Sequence, residues 1–422
     1  MIRRIVRTSF FSIGSRGFLT LTNLIIMFSI SRGMGKAALG VYSISAFFYY
    51  LFAYLTSFEL TTYFGKEIAH RRDRVEELKR LYGEAAVTFL LGLALSVLGL
   101  VCLLFFYKKI DASLLIISMV SGIIFGFEKN LSGVLLGNEK MHFEFIAQVV
   151  AFGIVAVPVF FFIRELDIMG TYILRIAASV VCVVLRGFFT GIARYLEKKH
   201  VSLENYNWKE IGFFSASGLS FFVQHHIDLF ILSFLVSREL EGAYFLALRI
   251  FLAFNLMAEM TAFALTPYIS RSYRGKDNNR FEVFYTRMFY IQVGLGAVAA
   301  VILFFTRDFL VTFFSKEGSP GEASDFLLYF SFFIFFRFVS YYTGNVLSST
   351  RFQDIRFYIL ITSSVLLIGL EIVLGKFFSV YGIIYARAVM EVFIFIAYLV
   401  AIAKVRGKPA EAQVPGPKVA KM

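Results

Sequence analysis

Residues 170–177 read GTYILRIA, and residues 382–389 read GIIYARAV. In both stretches an arginine follows a glycine by five positions, near the start of a long apolar run. Arg175 and Arg387 are 212 residues apart in a chain of 422. The same permanent charge at the same place in two apolar segments indicates an internal repeat.

The chain is apolar along nearly its whole length. Hydrophobic residues make up 58% of it and charged residues only 17%, whereas a soluble globular domain carries roughly 25% charged residues. Apolar stretches of about 20 residues recur throughout, and each is long enough to span a bilayer as a helix. Cys102 and Cys182 both fall inside such stretches, so no disulfide framework is indicated. The composition therefore predicts an all-α integral membrane protein.

Twelve of these stretches are predicted membrane spans, with six in each half of the chain. They cover residues 10–31, 38–64, 82–106, 112–136, 143–163, 169–194, 211–236, 242–269, 286–306, 325–348, 357–375 and 381–403. Because six is an even number, both halves enter the membrane from the same side, and the repeats are parallel. The predicted organisation is a six-helix lobe at 1–195, a linker at 196–210, a second six-helix lobe at 211–403 and a disordered basic tail at 404–422.

Two further pairs of segments support a duplication. SRGMGKAALGVY at 31–42 is echoed by SRELEGAY at 237–244, and VLLGNEKMHF at 134–143 is echoed by VLSSTRFQDIRF at 346–357. The echoes fall in the same order, 202 to 212 residues apart. The alternative is chance similarity between apolar helices that use few residue types.

The distribution of basic residues predicts the orientation. The even-numbered connections and both termini hold 26 of the 42 Lys and Arg residues, and the odd-numbered connections hold nine. Because cytoplasmic loops carry an excess of basic residues, both termini are predicted to be cytoplasmic, with the protein in the inner (cytoplasmic) membrane. The net charge of +13 reflects this asymmetry and attraction to anionic lipid. Nucleic acid binding is not indicated, since the basic residues are scattered over seven pieces.

Several segments resemble the polysaccharide flippases of the multidrug/oligosaccharidyl-lipid/polysaccharide exporter superfamily. The segments that carry the resemblance are SRGMGKAALGVYSISAFF (31–48), FGKEIAHRRD (64–73), HHIDLFILSFLVSRELEGAYFLALRI (225–250) and ALTPYISRSY (264–273). The positions that match the family's motifs are Arg32, Gly35, Gly40, Tyr42, Arg71 with Arg72, and Asp228. Residues 32–35, Arg-Gly-Met-Gly, depart from the family's commoner Arg-x-Leu-Gly, and Glu59 stands where a glycine is usual.

This resemblance implies a V-shaped pair of six-helix lobes that alternate access between the two sides of the membrane. It implies transport of a polyprenyl-diphosphate-linked oligosaccharide from the inner to the outer leaflet, for a surface polysaccharide such as the O-antigen of lipopolysaccharide. The expected partners are this lipid-linked substrate, membrane lipids and other polysaccharide assembly proteins. The expected oligomeric state is a monomer.

Six arginines lie inside the predicted spans, and their cost limits which way they face. An arginine near the centre of a membrane helix costs about 2.5–3.5 kcal/mol, so six of them facing lipid would exceed a typical stability of about 5–15 kcal/mol. In one interpretation, each reaches the interface or pairs with a carboxylate, as Arg387 could with Glu391. In the other, they line a wet cleft between the lobes as a ladder of cations for a diphosphate. The candidate substrate-binding residues of this ladder are Arg16, Arg186, Arg337, Arg175, Arg249 and Arg387.

Asp228 is the main candidate for ion coupling. It lies in the seventh predicted span beside His225 and His226, and an intramembrane carboxylate is either a functional site or the partner of a nearby cation. In the first interpretation, Asp228, His225 and Glu59 couple transport to H⁺ or Na⁺. In the second, Asp228 pairs with an arginine and positions the lobes. No metal site or other cofactor is indicated, because adjacent histidines on a helix point about 100° apart.

Two other classes of function are rivals. A multidrug or cation antiporter of the same superfamily would need acidic residues for its substrates, and here arginines outnumber acids in the central stretches of the spans. A membrane polysaccharide polymerase or ligase usually carries one long outer loop, and the longest predicted outer connection is 307–324. The sequence shows no phosphate-binding loop, nucleophile with its base, or metal-spaced cluster, so an enzyme is not expected.

Overall fold

The computed structural model describes residues 2–71, 74–192, 195, 197, 200–201, 206–274, 278–316, 321–350 and 352–406. Within these ranges the chain forms α-helices joined by short turns, and no β-strand occurs. The all-α prediction is confirmed. The helices are α1 (Ile2–Met34), α2 (Lys36–Ser57), α3 (Thr61–Arg71), α4 (Val75–Phe106), α5 (Ala112–Gly137), α6 (Met141–Thr190), α7 (Trp208–Leu235), α8 (Arg238–Arg274), α9 (Asn278–Phe314), α10 (Gly321–Ser349) and α11 (Gln353–Arg406).

Ten helices of the described chain, with α2 and α3 taken together, are long and apolar enough to cross a membrane. Eight of them correspond to one predicted span each, whereas α6 and α11 each join two predicted spans. They hold 50 and 54 residues, enough for two membrane crossings of about 20 residues each. The protein is therefore a multi-pass membrane protein, with ten long helices where the sequence predicted twelve.

Both of these long helices fold back on themselves at a bend near the middle. In α6 the Cys182 Sγ donates to the Ala147 carbonyl at 3.3 Å, and in α11 a Cβ atom at Gly382 would lie 2.0 Å from the Leu374 carbonyl oxygen. Asp167 in α6 and Ser379 in α11 have left-handed backbone angles, with φ of 58° and 55°. The connections predicted there, RELDI at 164–168 and KFFSV at 376–380, contain neither proline nor glycine, the strongest helix breakers. The two segments on either side of each bend therefore follow one another directly and lie side by side, and counting them separately gives twelve.

The two bends are related by the internal repeat. Asp167 and Ser379 are 212 residues apart, the same separation as Arg175 and Arg387. In each half the arginine therefore lies eight residues, about two helical turns, after the bend. The resemblance between GTYILRIA and GIIYARAV is thus accompanied by the same backbone feature at the same position.

Helix packing also repeats between the halves. In the first half α1 packs along α6 and α2 along α5, and in the second half α7 packs along α11 and α8 along α10. The halves meet chiefly where α2 packs along α8 and α7, whereas α1 approaches α8 and α9 over a much smaller area. The contact between the two halves, which we call the seam, is lined by aromatic rings. Phe47 of α2, for example, stacks on Phe230 of α7 with ring centroids 5.0 Å apart.

The predicted linker at 196–210 is described at 197, 200–201 and 206–210. It is tied to α4, since Lys79 Nζ lies 2.6 Å from a Glu197 carboxylate oxygen and the hydroxyls of Thr88 and Tyr206 are 3.0 Å apart. α7 begins inside the predicted linker, and α11 extends three residues into the predicted tail. The rest of that tail, 407–422, lies outside the described residues.

Candidate functional site

Arg186 is enclosed by two glutamates inside the first half of the chain. Its Nε and Nη2 donate to the two carboxylate oxygens of Glu144 at 2.6 and 2.8 Å, and its Nη1 lies 2.5 Å from Glu128 Oε1. All three side chains are buried. Because two carboxylates already neutralise this guanidinium, Arg186 is placed as a structural ion-pair partner and not at an accessible ligand site.

Arg337 and Arg387 are also buried against carboxylates. Arg337 forms an ion pair with Glu391. The Nη2 of Arg387 donates to Asp228 Oδ2 at 2.7 Å, and the same oxygen accepts a hydrogen bond of 2.6 Å from the Tyr244 hydroxyl. These arginines follow the pairing interpretation, although Glu391 pairs with Arg337 and not with Arg387 as the helical spacing suggested.

Arg16 joins the two halves of the chain. It lies on α1, forms an ion pair with Glu259 of α8, and sits 5.6 Å from the centre of the Phe263 ring. Its side chain is 48% exposed, which makes it the most accessible of the six arginines. An ion pair of this exposure contributes little stability, about 0–1 kcal/mol, and so can be exchanged at low cost.

Arg175 has no carboxylate within ion-pair distance in the described part of the chain. Its Nη2 donates to Asn23 Oδ1 at 2.7 Å and to the Tyr42 hydroxyl at 2.8 Å. The guanidinium also lies 4.8 Å from the ring centre of Tyr49 and 6.0 Å from that of Tyr172. Its Nε has no hydrogen-bond partner among the described residues. Neutral oxygens and aromatic faces therefore hold a buried positive charge.

Arg249 of α8, on the other side of the seam, is half-buried and also lies against aromatic rings. Its guanidinium lies 4.7 Å from the ring centre of Phe245 and 5.4 Å from that of Tyr50. No ion pair of Arg249 occurs among the residues that the structure describes. Arg249 is the second positive charge in this region without a counter-ion.

A single layer of aromatic rings separates these two arginines. Tyr49 and Tyr50 are neighbours on α2, and each ring contacts one of the guanidinium groups. The Tyr42 ring, whose hydroxyl binds Arg175, lies 5.8 Å from the Phe245 ring, which contacts Arg249. We call Arg175 and Arg249 the central arginine pair. It is positively charged, lies between the two halves, and is lined by tyrosines.

The candidate ion-coupling residues are not assembled into one site. Asp228 is fully buried and bound by Arg387 and Tyr244. His225 is buried, and its Nδ1 donates to the Phe221 carbonyl at 2.8 Å. Glu59 lies at the turn after α2, with φ of 55°, and forms an ion pair with Lys129. Each of the three therefore has its own separate partner.

Three residues that contact the central arginine pair, Asn23, Tyr49 and Tyr50, have no role predicted from the sequence. The contacts of the two tyrosines leave no signal in the sequence, because 22 tyrosines and 53 phenylalanines are spread along the chain. One feature of the sequence does indicate that Asn23 faces the interior. Asn23 is an amide inside an apolar span, where polar side chains generally face the interior of the bundle.

Comparison with solved structures identifies the fold. The chain resembles an inward-facing multidrug resistance MATE family transporter of the MOP superfamily, with a TM-score of 0.72 and 16% identity over 92% of this chain and 95% of the other. An outward-facing transporter of the same description gives a TM-score of 0.67 and 17% identity over 96% of each chain. A MOP superfamily transporter from Pyrococcus furiosus, whose binding pocket is described as reversed in polarity, gives the same values. The MATE-like fold prediction is confirmed.

Comparison of sequences identifies the family. No curated protein sequence is significantly similar to the chain. A family model described as MatE matches residues 217–373, and one described as polysaccharide biosynthesis protein matches residues 5–273, well over half of the chain. The structural neighbours reported above are transporters. The chain is a membrane protein with a transporter fold, and it belongs to the polysaccharide biosynthesis protein family.

Proposed function

We propose that the chain is a flippase that moves polyprenyl-diphosphate-linked oligosaccharides across the cytoplasmic membrane by alternating access. The product would serve assembly of a surface polysaccharide such as O-antigen. Membership of the polysaccharide biosynthesis protein family and the transporter fold support the general class. The choice of an anionic lipid headgroup rests on one observation, the uncompensated charge of the central arginine pair.

Arg175 and Arg249 differ from the other four candidate arginines in having no carboxylate partner within the described chain. Arg175 is buried, and removing an ion from water without a counter-ion costs several kcal/mol. A diphosphate offsets that cost, because its oxygens accept short, charge-assisted hydrogen bonds from guanidinium groups, often two at a time. The unpartnered Nε of Arg175 is a donor available for such a bond.

The positive charge of the central arginine pair disfavours a cationic substrate. Three acids that lie on the second half, Asp228, Glu259 and Glu391, each already neutralise an arginine. A cation antiporter would need an unneutralised carboxylate, and Glu371, buried near Asp228 without an ion pair or hydrogen bond among the described residues, is such a group. A cation placed beside Arg175 and Arg249, however, would be repelled. The polarity of this region therefore favours the flippase over the multidrug antiporter.

Arg16 provides the first contact in this proposal. It lies seven residues before Asn23 on α1, roughly 10 Å from it along the helix axis, and it is the exposed member of the candidate set. The diphosphate would replace Glu259 as its partner and then move inward to the central arginine pair. The excess of basic residues puts this end of the bundle on the cytoplasmic side, where the lipid-linked oligosaccharide is made.

The proposed transport cycle moves its substrate without making or breaking a covalent bond, so we propose a transporter and not an enzyme. We propose that the protein acts as a monomer in the inner membrane with both termini in the cytoplasm. Other polysaccharide assembly proteins supply the lipid-linked unit and use the translocated product. If transport is coupled to an H⁺ or Na⁺ gradient, Asp228 is the residue proposed to bind the ion.

Transport in proteoliposomes tests the proposal. Translocation of a labelled polyprenyl-diphosphate disaccharide is followed by its accessibility to a hydrolase on the far side of the membrane. We expect the wild-type protein to exceed empty liposomes and Arg249→Gln to be at least about tenfold slower, since a hydrogen bond to a charged group contributes about 1.5–3 kcal/mol. Arg307→Gln is the matched control, because Arg307 lies in α9 beside Asp308, outside the site. Gradient-driven transport of ethidium without any lipid translocation would overturn the proposal in favour of the cation antiporter.

A further inference from the structure

Each of the two repeat-related arginines donates to a side-chain oxygen on the first helix of its own half. Arg175 Nη2 donates to Asn23 Oδ1 at 2.7 Å, and Arg387 Nη2 donates to Asp228 Oδ2 at 2.7 Å. The first half thus places a neutral amide where the second half places a carboxylate. Arg387 has a counter-ion for this reason, and Arg175 has none.

The equivalence of Asn23 and Asp228 does not depend on the arginines alone. Asn23 lies on α1 and Asp228 on α7, the first helix of each half, in the local sequences NLII (23–26) and DLFI (228–231). A tyrosine completes each group from the second helix of the half, Tyr42 on α2 and Tyr244 on α8. The helices and the neighbouring sequence agree, whereas the tyrosines differ in partner, since Tyr42 accepts from Arg175 and Tyr244 donates to Asp228.

We propose that Asn23 is the residue that sets the charge preference of the central site. This inference concerns the same site as the proposed function, and it rests on the proposed function for the identity of the anion. Asparagine and aspartate have nearly the same shape, so the oxygen acceptors at positions 23 and 228 differ chiefly in charge. With the amide, Arg175 keeps its full positive charge for a ligand. An aspartate at position 23 would occupy the guanidinium permanently, as Asp228 does in the second half.

A purely structural role for Asn23 makes the opposite prediction. If Asn23 served only as the hydrogen-bond acceptor that orients Arg175, a carboxylate oxygen at the same place would accept the same bond. Anion binding would then survive the change to aspartate. If Asn23 sets the charge, binding is lost while the fold is maintained or strengthened, because Arg175 gains the counter-ion that it lacks.

The test uses the purified full chain in lipid nanodiscs and inorganic diphosphate as the ligand. Affinity is measured by calorimetric titration and stability by thermal unfolding. For Asn23→Asp we expect diphosphate to bind about 10- to 100-fold more weakly, the range of one charge-assisted hydrogen bond, with an unfolding temperature equal to or above that of the wild type. A merely structural defect would lower the unfolding temperature.

Asn345→Asp is the matched control for adding one carboxylate in place of an amide inside the bundle. The Asn345 amide donates to the Ala262 carbonyl at 2.6 Å, and Ala262 lies thirteen residues from Arg249 on α8, roughly 20 Å along the helix. Losing that donor should lower the unfolding temperature and leave diphosphate affinity within about twofold of the wild type. Asn23→Asp should therefore weaken diphosphate binding without lowering stability, whereas Asn345→Asp should lower stability without weakening diphosphate binding.

Three results decide the inference. Equal diphosphate affinity of wild type and Asn23→Asp overturns it, even if the wild type flips lipid-linked oligosaccharide. Absence of diphosphate binding to the wild type overturns it as well, because Arg175 is then no anion site. Weaker diphosphate binding to Asn23→Asp, without loss of stability, supports it even if lipid translocation is absent, and in that case only the proposed function fails.

Discussion

Gly40 of α2 and Gly242 of α8 bring the two halves of the chain into backbone contact. A Cβ atom at Gly40 would lie 1.9 Å from the Arg238 carbonyl oxygen, and one at Gly242 would lie 2.1 Å from the Lys36 carbonyl oxygen. The contact is reciprocal, since each glycine faces the backbone at the start of the other helix. Both belong to the repeated Gly-x-Tyr segment, so the repeat puts its smallest residue where the halves meet.

Gly40→Ala should loosen this contact. The added methyl group meets backbone atoms, which cannot move aside as a flexible side chain can, so we expect a loss of about 1–3 kcal/mol and slower transport. Gly153→Ala is the control, because a Cβ at Gly153 in α6 meets nothing within 4 Å and an alanine there should stabilise the helix by about 0.5–1 kcal/mol. Unfolding temperatures measured in one detergent compare the two, and an equal or raised value for Gly40→Ala would contradict the tight seam.

Arg186 should behave as a structural residue. Arg186→Met leaves Glu128 and Glu144 buried together without a cation, which should cost about 3–5 kcal/mol. Arg307→Met, at a partly exposed ion pair, should cost about 0–1 kcal/mol. The unfolding temperatures of the two variants, each compared with that of the wild type, measure this difference.

Removing the two acids provides a sharper test of the same cluster. Arg186→Met combined with Glu128→Gln and Glu144→Gln should recover much of the lost stability, since buried ion networks can be replaced by neutral groups at little cost. If Arg186→Met unfolds at the wild-type temperature and still loses transport, Arg186 belongs to the substrate path and not to the scaffold.

Asp228 is expected to act first as the counter-ion of Arg387. Asp228→Asn should lower stability by about 3–5 kcal/mol, and Asp228→Asn with Arg387→Gln should recover part of it. The ratio of transport rates with and without an imposed H⁺ or Na⁺ gradient should equal the wild-type ratio in the double variant. A variant of normal stability whose transport no longer responds to a gradient would instead identify Asp228 as the coupling site.

The membrane spans could be predicted from the sequence because the physical constraint on them is strong. Every helix in hydrocarbon needs about 20 apolar residues, and eight predicted spans correspond one to one with helices of the structure. Hydropathy locates where the chain leaves the apolar layer, but it does not report whether the helical hydrogen bonds continue there. The predicted connections at 164–168 and 376–380 contain the bends at Asp167 and Ser379, whereas the continuity of helix up to each bend depends on the backbone and could not be predicted.

The division of the arginines could not be predicted in the same way. Arg175 and Arg186 are eleven residues apart in one helix and have the same chemistry. Their difference comes from partners far away in the chain, because Glu144 lies 42 residues from Arg186, whereas Asn23 lies 152 residues from Arg175. The repeat did contain the needed comparison, but only the structure shows which residues of α1 and α7 face the two repeated arginines.

The most direct test of the central claim is an experimental structure of the full chain in lipid nanodiscs with farnesyl diphosphate bound. The account predicts diphosphate oxygens about 2.7–3.2 Å from guanidinium nitrogens of both Arg175 and Arg249, with the other buried arginines still on their carboxylates. A diphosphate held instead by Arg186, Arg337 or Arg387, or bound only at the surface of the bundle, would contradict it.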